Sequence, residues 1–353
     1  MQRSKMAVSN QASTTAPSVA HGLIRFLEKH KELEIFFDSR ELGLLKHITR
    51  TATKAESSYL RKGISKVIYG VPYVAQSLFF NTLIVPEYDA IIGTRKLYIR
   101  EKLHAAIANG AQQIIVLGGG YDTAAFFASL NYGVNVFECD IGQTRLNKLE
   151  ALLSIPKVLG MLNVTCQDNE YGACVVNKNF YSIECDITND LAASLLENGF
   201  QKNVKTFVYG EGVLPYLTDE GVQSVLQDLQ MLLTNQDEVL LGILSHTNCS
   251  AALKKALKSA GEEANFALLP EKVCAYLNPR GFVVTEKSFM ETRLGFVFDE
   301  AVIRDDLHPK LQHEPQEQYY LLQPTGQTLE EIQDLNKVPE FELSKKNLEY
   351  ELV

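Results

Sequence analysis

The strongest constraint on the fold is the alternation of short apolar runs with helical patterns that begins near residue 113. Strands that alternate with helices need crossover connections, which favour a mainly parallel sheet. The predicted strands are Gln113–Leu117, Val134–Glu138, Phe180–Cys185, Lys205–Tyr209 and Glu238–Leu244, and the helices are 122–130, 143–153, 189–198, 219–234 and 250–260. The fold class predicted is α/β.

The two ends of the chain predict different structure. Helix-face spacing from Ser18 to Thr53 and over Arg95–Asn109 indicates N-terminal helices, and Phe282–Glu286 and Tyr319–Gln323 are candidates for a hairpin-like finish of the sheet. We therefore expect a disordered tail over 1–12, a helical cap over 13–94, a sheet domain over 95–324 and an extension over 325–353.

Three glycines, Gly118 to Gly120, follow the first predicted strand. Glycine at a strand–helix junction permits a tight turn and a close approach of the backbone to a ligand, although a simple turn explains such a run equally well. In open parallel sheets, ligands bind beyond the carboxyl ends of the strands. The glycines therefore predict one wall of a binding crevice.

Acidic residues follow several of the predicted strands. Glu138 and Asp140 end the second strand, about 20 residues after Gly118, while Asp186 and Glu211 follow two later strands. Any one of them could be a solvated strand end or a helix cap. An acid about 20 residues after the first glycine, however, is placed to accept hydrogen bonds from ribose hydroxyls. Together the acids predict a nucleoside-binding cleft.

The nucleoside is predicted to carry no phosphate. A dinucleotide fingerprint requires a third glycine where this chain has Thr123, and Asp122 brings a negative charge to the helix N-terminus that would hold a pyrophosphate. A nicotinamide-dependent oxidoreductase is therefore the weakest candidate, and S-adenosylmethionine fits better.

Four blocks, LGGGYDT, FECD, SIECDIT and EGVLPYL, resemble the leucine carboxyl methyltransferase family over about residues 90–245. The resemblance implies an S-adenosylmethionine-dependent methyltransferase. It also implies a Rossmann-like sheet of seven strands, mainly parallel with an antiparallel C-terminal strand, and an N-terminal helical lid. The cofactor-binding residues that it implies are Arg95 for the cofactor carboxylate, Gly118 and Gly120 in the loop, Glu138 and Asp140 at the ribose, Asp186 and Ile187 at the adenine, and Glu211 at the methionine moiety.

Three positions depart from the family pattern. A lysine of some members aligns at or near His21. Ala124 stands where an arginine is common in bacterial members, and Gly142 stands where the family has a proline. These departures leave the acceptor open and motivate an alternative, a non-catalytic S-adenosylmethionine-binding protein of the same fold.

The expected reaction is O-methylation of a carboxylate, on a small molecule or on a protein C-terminus. A carboxylate is already ionised at pH 7, so no general base is required. If the acceptor were an alcohol or a phenol, Tyr216 and His246 are the candidate catalytic residues. We expect no metal site, because no histidine and cysteine cluster has ligand spacing.

Composition excludes several other classes of protein. The formal net charge of −9 argues against a nucleic-acid surface, and no apolar run is long enough to span a membrane. The N-terminus lacks the apolar stretch of a signal peptide, and the six cysteines form no CxxC pair. We therefore expect a cytoplasmic protein with reduced cysteines; the sequence leaves the oligomeric state open.

Overall fold

The structure is a computed structural model that describes residue 13 and residues 15–55, 88–154, 166–168, 173–245, 264–288 and 317–326. The α-helices are α1 (Thr15–Lys29), α2 (Glu41–Ala55), α3 (Tyr88–Ala108), α4 (Ala124–Tyr132), α5 (Gly142–Leu153), α6 (Leu191–Glu197), α7 (Asp219–Leu232) and α8 (Val273–Leu277). Short 3₁₀ helices are formed by Lys31–Phe36, Leu214–Tyr216, Pro270–Lys272 and Asn278–Arg280. The strands are β1 (Gln113–Leu117), β2 (Asn135–Asp140), β3 (Cys166–Asp168), β4 (Ala173–Val176), β5 (Phe180–Glu184), β6 (Thr206–Gly210), β7 (Glu238–Leu244), β8 (Phe282–Ser288) and β9 (Glu317–Pro324).

The described strands form one sheet in the order β3-β4-β5-β2-β1-β6-β7-β9-β8. The five central strands, β5 to β7 in this order, pair in parallel, as the crossover pattern predicts. Strand β9 pairs antiparallel with both β7 and β8, which confirms the antiparallel C-terminal part of the sheet. The α/β fold class is therefore confirmed.

The number of strands differs from the prediction. All seven predicted strands are present, but β3 and β4 add an antiparallel extension beside β5, so the described sheet has nine strands instead of seven. These two strands have only three and four residues, and Gln167 and Asp168 are exposed. Such short segments have too little apolar alternation to be recognised.

Helices cover both faces of the sheet. Along β1 the side chains alternate, so that Ile114 and Val116 pack with helices α1 to α5, whereas Ile115 and Leu117 pack with α6 to α8. All five residues of β1 are buried. The carboxyl ends of the parallel strands therefore meet at one edge of a fully covered sheet.

The N-terminal helices are joined to this core through α3. Arg25 of α1 donates hydrogen bonds from Nε and Nη2 to the Asp89 carboxylate of α3, and both residues are buried. Gly93 permits the close packing of α1 on α3, because an added Cβ would lie 2.1 Å from Cδ1 of Phe26. The boundary expected between residues 94 and 95 falls inside α3, so the cap and the sheet share one continuous helix.

The chemistry of the cysteines differs from the prediction at one position. Cys174 on β4 is disulfide-bonded, whereas Cys139, Cys185 and Cys274 are free thiols. The expectation of reduced cysteines is therefore wrong for Cys174.

No helix in the described ranges combines the length and the apolar character needed to cross a membrane. The expected tail over 1–12 and the helix predicted at 250–260 lie outside the described residues.

Candidate functional site

A cavity of about 390 Å³ opens at the carboxyl ends of β1, β2 and β6. Helix α1 contributes an apolar wall that includes Ala16, Val19 and Leu23, opposite the loops that follow the strands. Of the candidate cofactor-binding and catalytic residues predicted from the sequence, those that line it are Arg95, Gly118, Gly120, Asp140, Asp186, Ile187, Glu211 and Tyr216.

The glycine loop begins directly after β1. Gly118 has a φ of 62° and Gly120 a φ of 50°, a left-handed backbone that L side chains rarely adopt. An added Cβ at Gly118 would also lie 2.7 Å from Cγ2 of Val213. Glycine is thus required here by the turn and by the close approach of the Val213 side chain.

Asp140 is the last residue of β2 and faces the cavity. Its two carboxylate oxygens accept hydrogen bonds from the backbone N–H groups of Gly120 and Ile141, each at 2.8 Å. Burial raises the pKa of Asp140 against the opposing effect of these two bonds. Each oxygen accepts one of these two bonds, so the carboxylate retains acceptor capacity for hydroxyl groups.

Glu138 lies behind the loop and is not among the residues that line the cavity. Its Oε2 accepts a hydrogen bond of 2.6 Å from Lys148 Nζ, and both side chains are buried. Burial raises the pKa of Glu138 to about 7, which outweighs the opposing effect of Lys148. The carboxyl group packs directly under Gly119, where an added Cβ would lie 2.4 Å from Glu138 Cδ. In this structure Asp140, and not Glu138, presents a carboxylate to the cavity.

Glu211 follows β6 and lies between two cations of α3. Its Oε2 accepts a hydrogen bond of 2.7 Å from Lys96 Nζ, and its Oε1 is 2.8 Å from Arg95 Nε. The Arg95 N–H is not directed at Oε1, so both atoms are buried without a hydrogen bond. Glu211 therefore has one buried oxygen that is electrostatically paired but still able to accept a donor.

Arg95 connects this group to the last strand of the chain. Its Nη1 donates to Glu317 Oε2 at 2.9 Å, and Glu317 Oε1 accepts from the Gly212 N–H at 2.8 Å. Although burial opposes it, the Glu211 carboxylate raises the pKa of Arg95. The guanidinium is thus a permanent cation at the wall of the cavity.

Asp122 has a different setting from the one predicted. It precedes α4 instead of lying in its first turn, and its Oδ2 accepts from the Ala124 N–H at 3.2 Å and from the Tyr209 hydroxyl at 2.8 Å. Burial raises its pKa, but the charges of Lys96 and Arg100 hold the pKa of Asp122 well below its usual range. A carboxylate already bonds to the first N–H of the helix, which agrees with a ligand that carries no phosphate.

Asp186 and Ile187 lie at the opposite end of the cavity, after β5. The Asp186 carboxylate accepts from the Thr188 hydroxyl at 2.7 Å and from the Asn189 side-chain amide at 2.6 Å. These local bonds hold the chain in a turn, and Ile187 contributes a buried apolar surface beside it.

Of the two candidate catalytic residues, the structure describes only Tyr216. The Tyr216 hydroxyl lies 3.4 Å from Thr15 Oγ1 of α1, at the wall of the cavity. His246 lies outside the described residues. Within the described ranges, no group of three or more His, Cys, Asp or Glu side chains could hold a metal ion.

The departures from the family pattern have physical counterparts. Burial, together with the charge of Arg25, lowers the pKa of His21 to about 3, so this histidine is neutral and cannot replace a lysine cation. Gly142 has a φ of 60°, which proline cannot adopt because its ring holds φ near −65°. The backbone at the start of α5 therefore differs from that of a proline-containing relative.

Sequence reasoning missed two residues of the site, Lys96 and Glu317. Lys96 follows Arg95 directly and could have been noticed as a second cation at the same turn of α3. Glu317 lies 222 residues after Arg95, and no local pattern links the two positions.

Comparison with known proteins places this geometry in context. Residues 80–230 match the leucine carboxyl methyltransferase family. The predicted resemblance to that family is confirmed. The chain is 25% identical over 144 residues to a protein of Parafrankia sp. and 29% identical over 140 residues to one of Saccharopolyspora erythraea, both provisionally named S-adenosyl-L-methionine-dependent methyltransferases. These matches cover 41% and 40% of this chain.

The matched segment spans only about two fifths of the length of those two relatives, 41% and 43% respectively. A crystal structure from Thermobifida fusca YX, provisionally named a methyltransferase, superposes with a TM-score of 0.51 at 16% sequence identity. It covers 79% of this chain and 93% of its own. This similarity shows the fold, which is that of a class I methyltransferase.

Proposed function

We propose that this protein is an S-adenosylmethionine-dependent methyltransferase. The observation that carries the proposal is the set of groups around one cavity at the carboxyl ends of the parallel strands. A glycine loop, the ribose-type acid Asp140 and the paired charges of Arg95 and Glu211 line it together. The match to the leucine carboxyl methyltransferase family and the names of the relatives support the same activity.

The residues of the cavity fit this cofactor. Glu211 Oε1 is a buried acceptor without a hydrogen bond, which suits an ammonium group. Arg95 is a buried cation that can bind a carboxylate, although it must share its donors with Glu317. Both Asp140 oxygens retain acceptor capacity for ribose hydroxyls.

The proposed binding roles follow from these positions. Arg95 holds the cofactor carboxylate, Glu211 the ammonium and Asp140 the ribose, while Asp186 and Ile187 frame the adenine. Gly118 and Gly120 keep side chains away from the cofactor. Glu138 acts indirectly: its side chain packs under Gly119 and so supports the glycine loop.

We further propose that the acceptor is a carboxylate, on a small molecule or on a protein C-terminus. Bound S-adenosylmethionine supplies an electrophilic methyl group on a sulfonium leaving group. The protein's task is then to align the acceptor oxygen and to exclude water, for which α1 provides an apolar wall. Tyr209 is unsuited to act as a base, because burial and Asp122 raise its pKa well above the usual value.

The test has two stages. Isothermal titration with S-adenosylmethionine and S-adenosylhomocysteine measures binding, and the absence of binding by well-folded protein would refute the proposal. Incubation with methyl-labelled cofactor and candidate acceptors then measures transfer. We expect label that is released by mild base, as from an ester; label that survives base would indicate an ether or amine product and refute the carboxylate assignment.

The alternative is a non-catalytic S-adenosylmethionine-binding protein. The specific observations that favour it are the neutral, buried His21 and the left-handed Gly142, since both positions differ from the family pattern. This alternative predicts cofactor binding in the titration with no labelled product from any acceptor.

A further inference from the structure

Lys96 occupies a central position in the cavity. It lies on α3, is only 4% exposed, and lines the cavity beside Arg95. Its Nζ donates to Asp122 Oδ1 at 2.9 Å and to Glu211 Oε2 at 2.7 Å. One ammonium group therefore bridges two carboxylates that follow the neighbouring strands β1 and β6.

The two acids that Lys96 bridges have different further partners. Glu211 also lies beside Arg95, so it keeps a cationic neighbour if Lys96 is removed. Besides Lys96, Asp122 has two neutral hydrogen-bond partners, the Tyr209 hydroxyl and the Ala124 N–H, and it feels the more distant charges of Arg100 and Lys148. Lys96 thus pairs with both acids, and with Asp122 it forms an ion pair of 2.9 Å in the wall of the cavity.

Such a pair matters because the cofactor changes charge in the proposed reaction. S-adenosylmethionine carries a sulfonium, whereas the product S-adenosylhomocysteine lacks the transferred methyl group, has a neutral thioether and is otherwise identical. Groups that bind the shared ammonium, carboxylate and ribose contribute to both affinities. A fixed charge near the cavity acts on all the charges of both ligands, but its effect on their shared groups cancels in the ratio of the two affinities, so the ratio reports its effect on the sulfonium.

We propose that the balance of the Lys96 and Asp122 charges sets how strongly the site prefers the sulfonium cofactor over its neutral thioether product, so that loss of either charge alone shifts this preference. This inference rests on the proposed function. Lys96 and Asp122 are therefore specificity-determining residues, which balance each other's charge and prevent an excess of either sign at the methionine end.

The experiment is a charge cycle at pH 8. Isothermal titration gives the ratio of the Kd of S-adenosylhomocysteine to the Kd of S-adenosylmethionine for wild type, Lys96→Met, Asp122→Asn and the double variant. At this pH the Arg100 charge helps to keep Asp122 ionised in Lys96→Met. If the sulfonium binds about 10 Å from a unit charge, at an effective dielectric constant of about 20, that charge changes the ratio roughly tenfold.

We expect the ratio to rise roughly tenfold in Lys96→Met and to fall by a similar factor in Asp122→Asn. The double variant should return to within about twofold of wild type, because the net charge is restored. Lys96→Arg, which keeps the charge, should leave the ratio unchanged. If Lys96→Met does not fold, the opposite shift in Asp122→Asn tests the same inference.

The failure of this inference is distinguishable from the failure of the proposed function. If wild type binds neither ligand, the cofactor assignment itself is refuted. If wild type binds both and the ratio stays the same in Lys96→Met and Asp122→Asn, the cofactor assignment stands and the role of the ion pair is refuted.

Discussion

Replacement of Gly119 by alanine should test the support behind the glycine loop. The new methyl group would lie 2.4 Å from Glu138 Cδ and 2.5 Å from Oε2, which is far inside van der Waals contact. The carboxylate cannot simply turn away, because Lys148 Nζ holds Oε2 at 2.6 Å and both side chains are buried. The loop must therefore shift, and this ion pair must break.

The expected cost is the sum of two effects. Forcing an extra methyl group into a packed site costs about 1–3 kcal/mol, and the loss of a charge-assisted hydrogen bond costs about 1.5–3 kcal/mol. We therefore expect Gly119→Ala to lower the free energy of unfolding by about 2.5–6 kcal/mol.

Urea denaturation at pH 8 measures this change, because Glu138, with a pKa of about 7, is then mostly ionised. The matched background is Glu138→Ala/Lys148→Met, which removes both partners of the ion pair together. Joint removal avoids leaving one charge buried without its partner, which is the strongly destabilising change.

In that background Gly119→Ala should cost less than about 1 kcal/mol, because the clash and the pair are both gone. An equal cost in the two backgrounds would refute the reasoning, since the destabilisation would then come from the loop backbone alone. Unchanged stability of the single variant would show that Glu138 does not pack under Gly119 as described.

Three further predictions concern the buried charges. Glu211→Gln and Arg95→Ala should each weaken S-adenosylmethionine binding by about 1.5–3 kcal/mol in isothermal titration with circular dichroism unchanged, and unaltered affinity in both would mean that the site is misplaced. Because burial raises the pKa of Glu138 from 4.5 to about 7, wild type should lose up to about 3 kcal/mol of stability relative to Glu138→Gln as the pH rises between these values; a constant difference would contradict this. Arg25→Met should cost about 3–5 kcal/mol in denaturant unfolding because the buried Asp89 carboxylate loses the Arg25 cation, while Arg25→Met/Asp89→Leu should recover most of this loss; equal losses in both would count against the pair.

Much of the fold was predictable because its signals are local. A strand that is buried on both faces, such as QIIVL in β1, stands out as a short apolar run, and the following helices have their own periodicity. Strands β3 and β4 were missed for the opposite reason. They are held by pairing with β5 at the edge of the sheet, and their own residues carry little pattern.

The site was predictable only in part. The spacing from Gly118 to Asp140 identified a carboxylate that does accept a loop N–H, at Gly120. The same spacing did not distinguish Asp140 from Glu138, two positions earlier. On a strand, side chains two residues apart share a face, so the difference arises because Asp140 stands at the end of β2, whereas Glu138 lies beneath the loop.

The sequence by itself determined the α/β alternation, the glycine loop and the acids that end the strands, because each depends on residues that are close along the chain. Tertiary structure alone decided which charges neutralise one another. The side chains of Lys96, Asp122 and Glu211 meet because α3 packs across the ends of β1 and β6, and Glu317 joins Arg95 from the last strand of the sheet. Pairing at distances near 3 Å between residues that are 26 to 222 positions apart is a property of packing, and no local pattern encodes it.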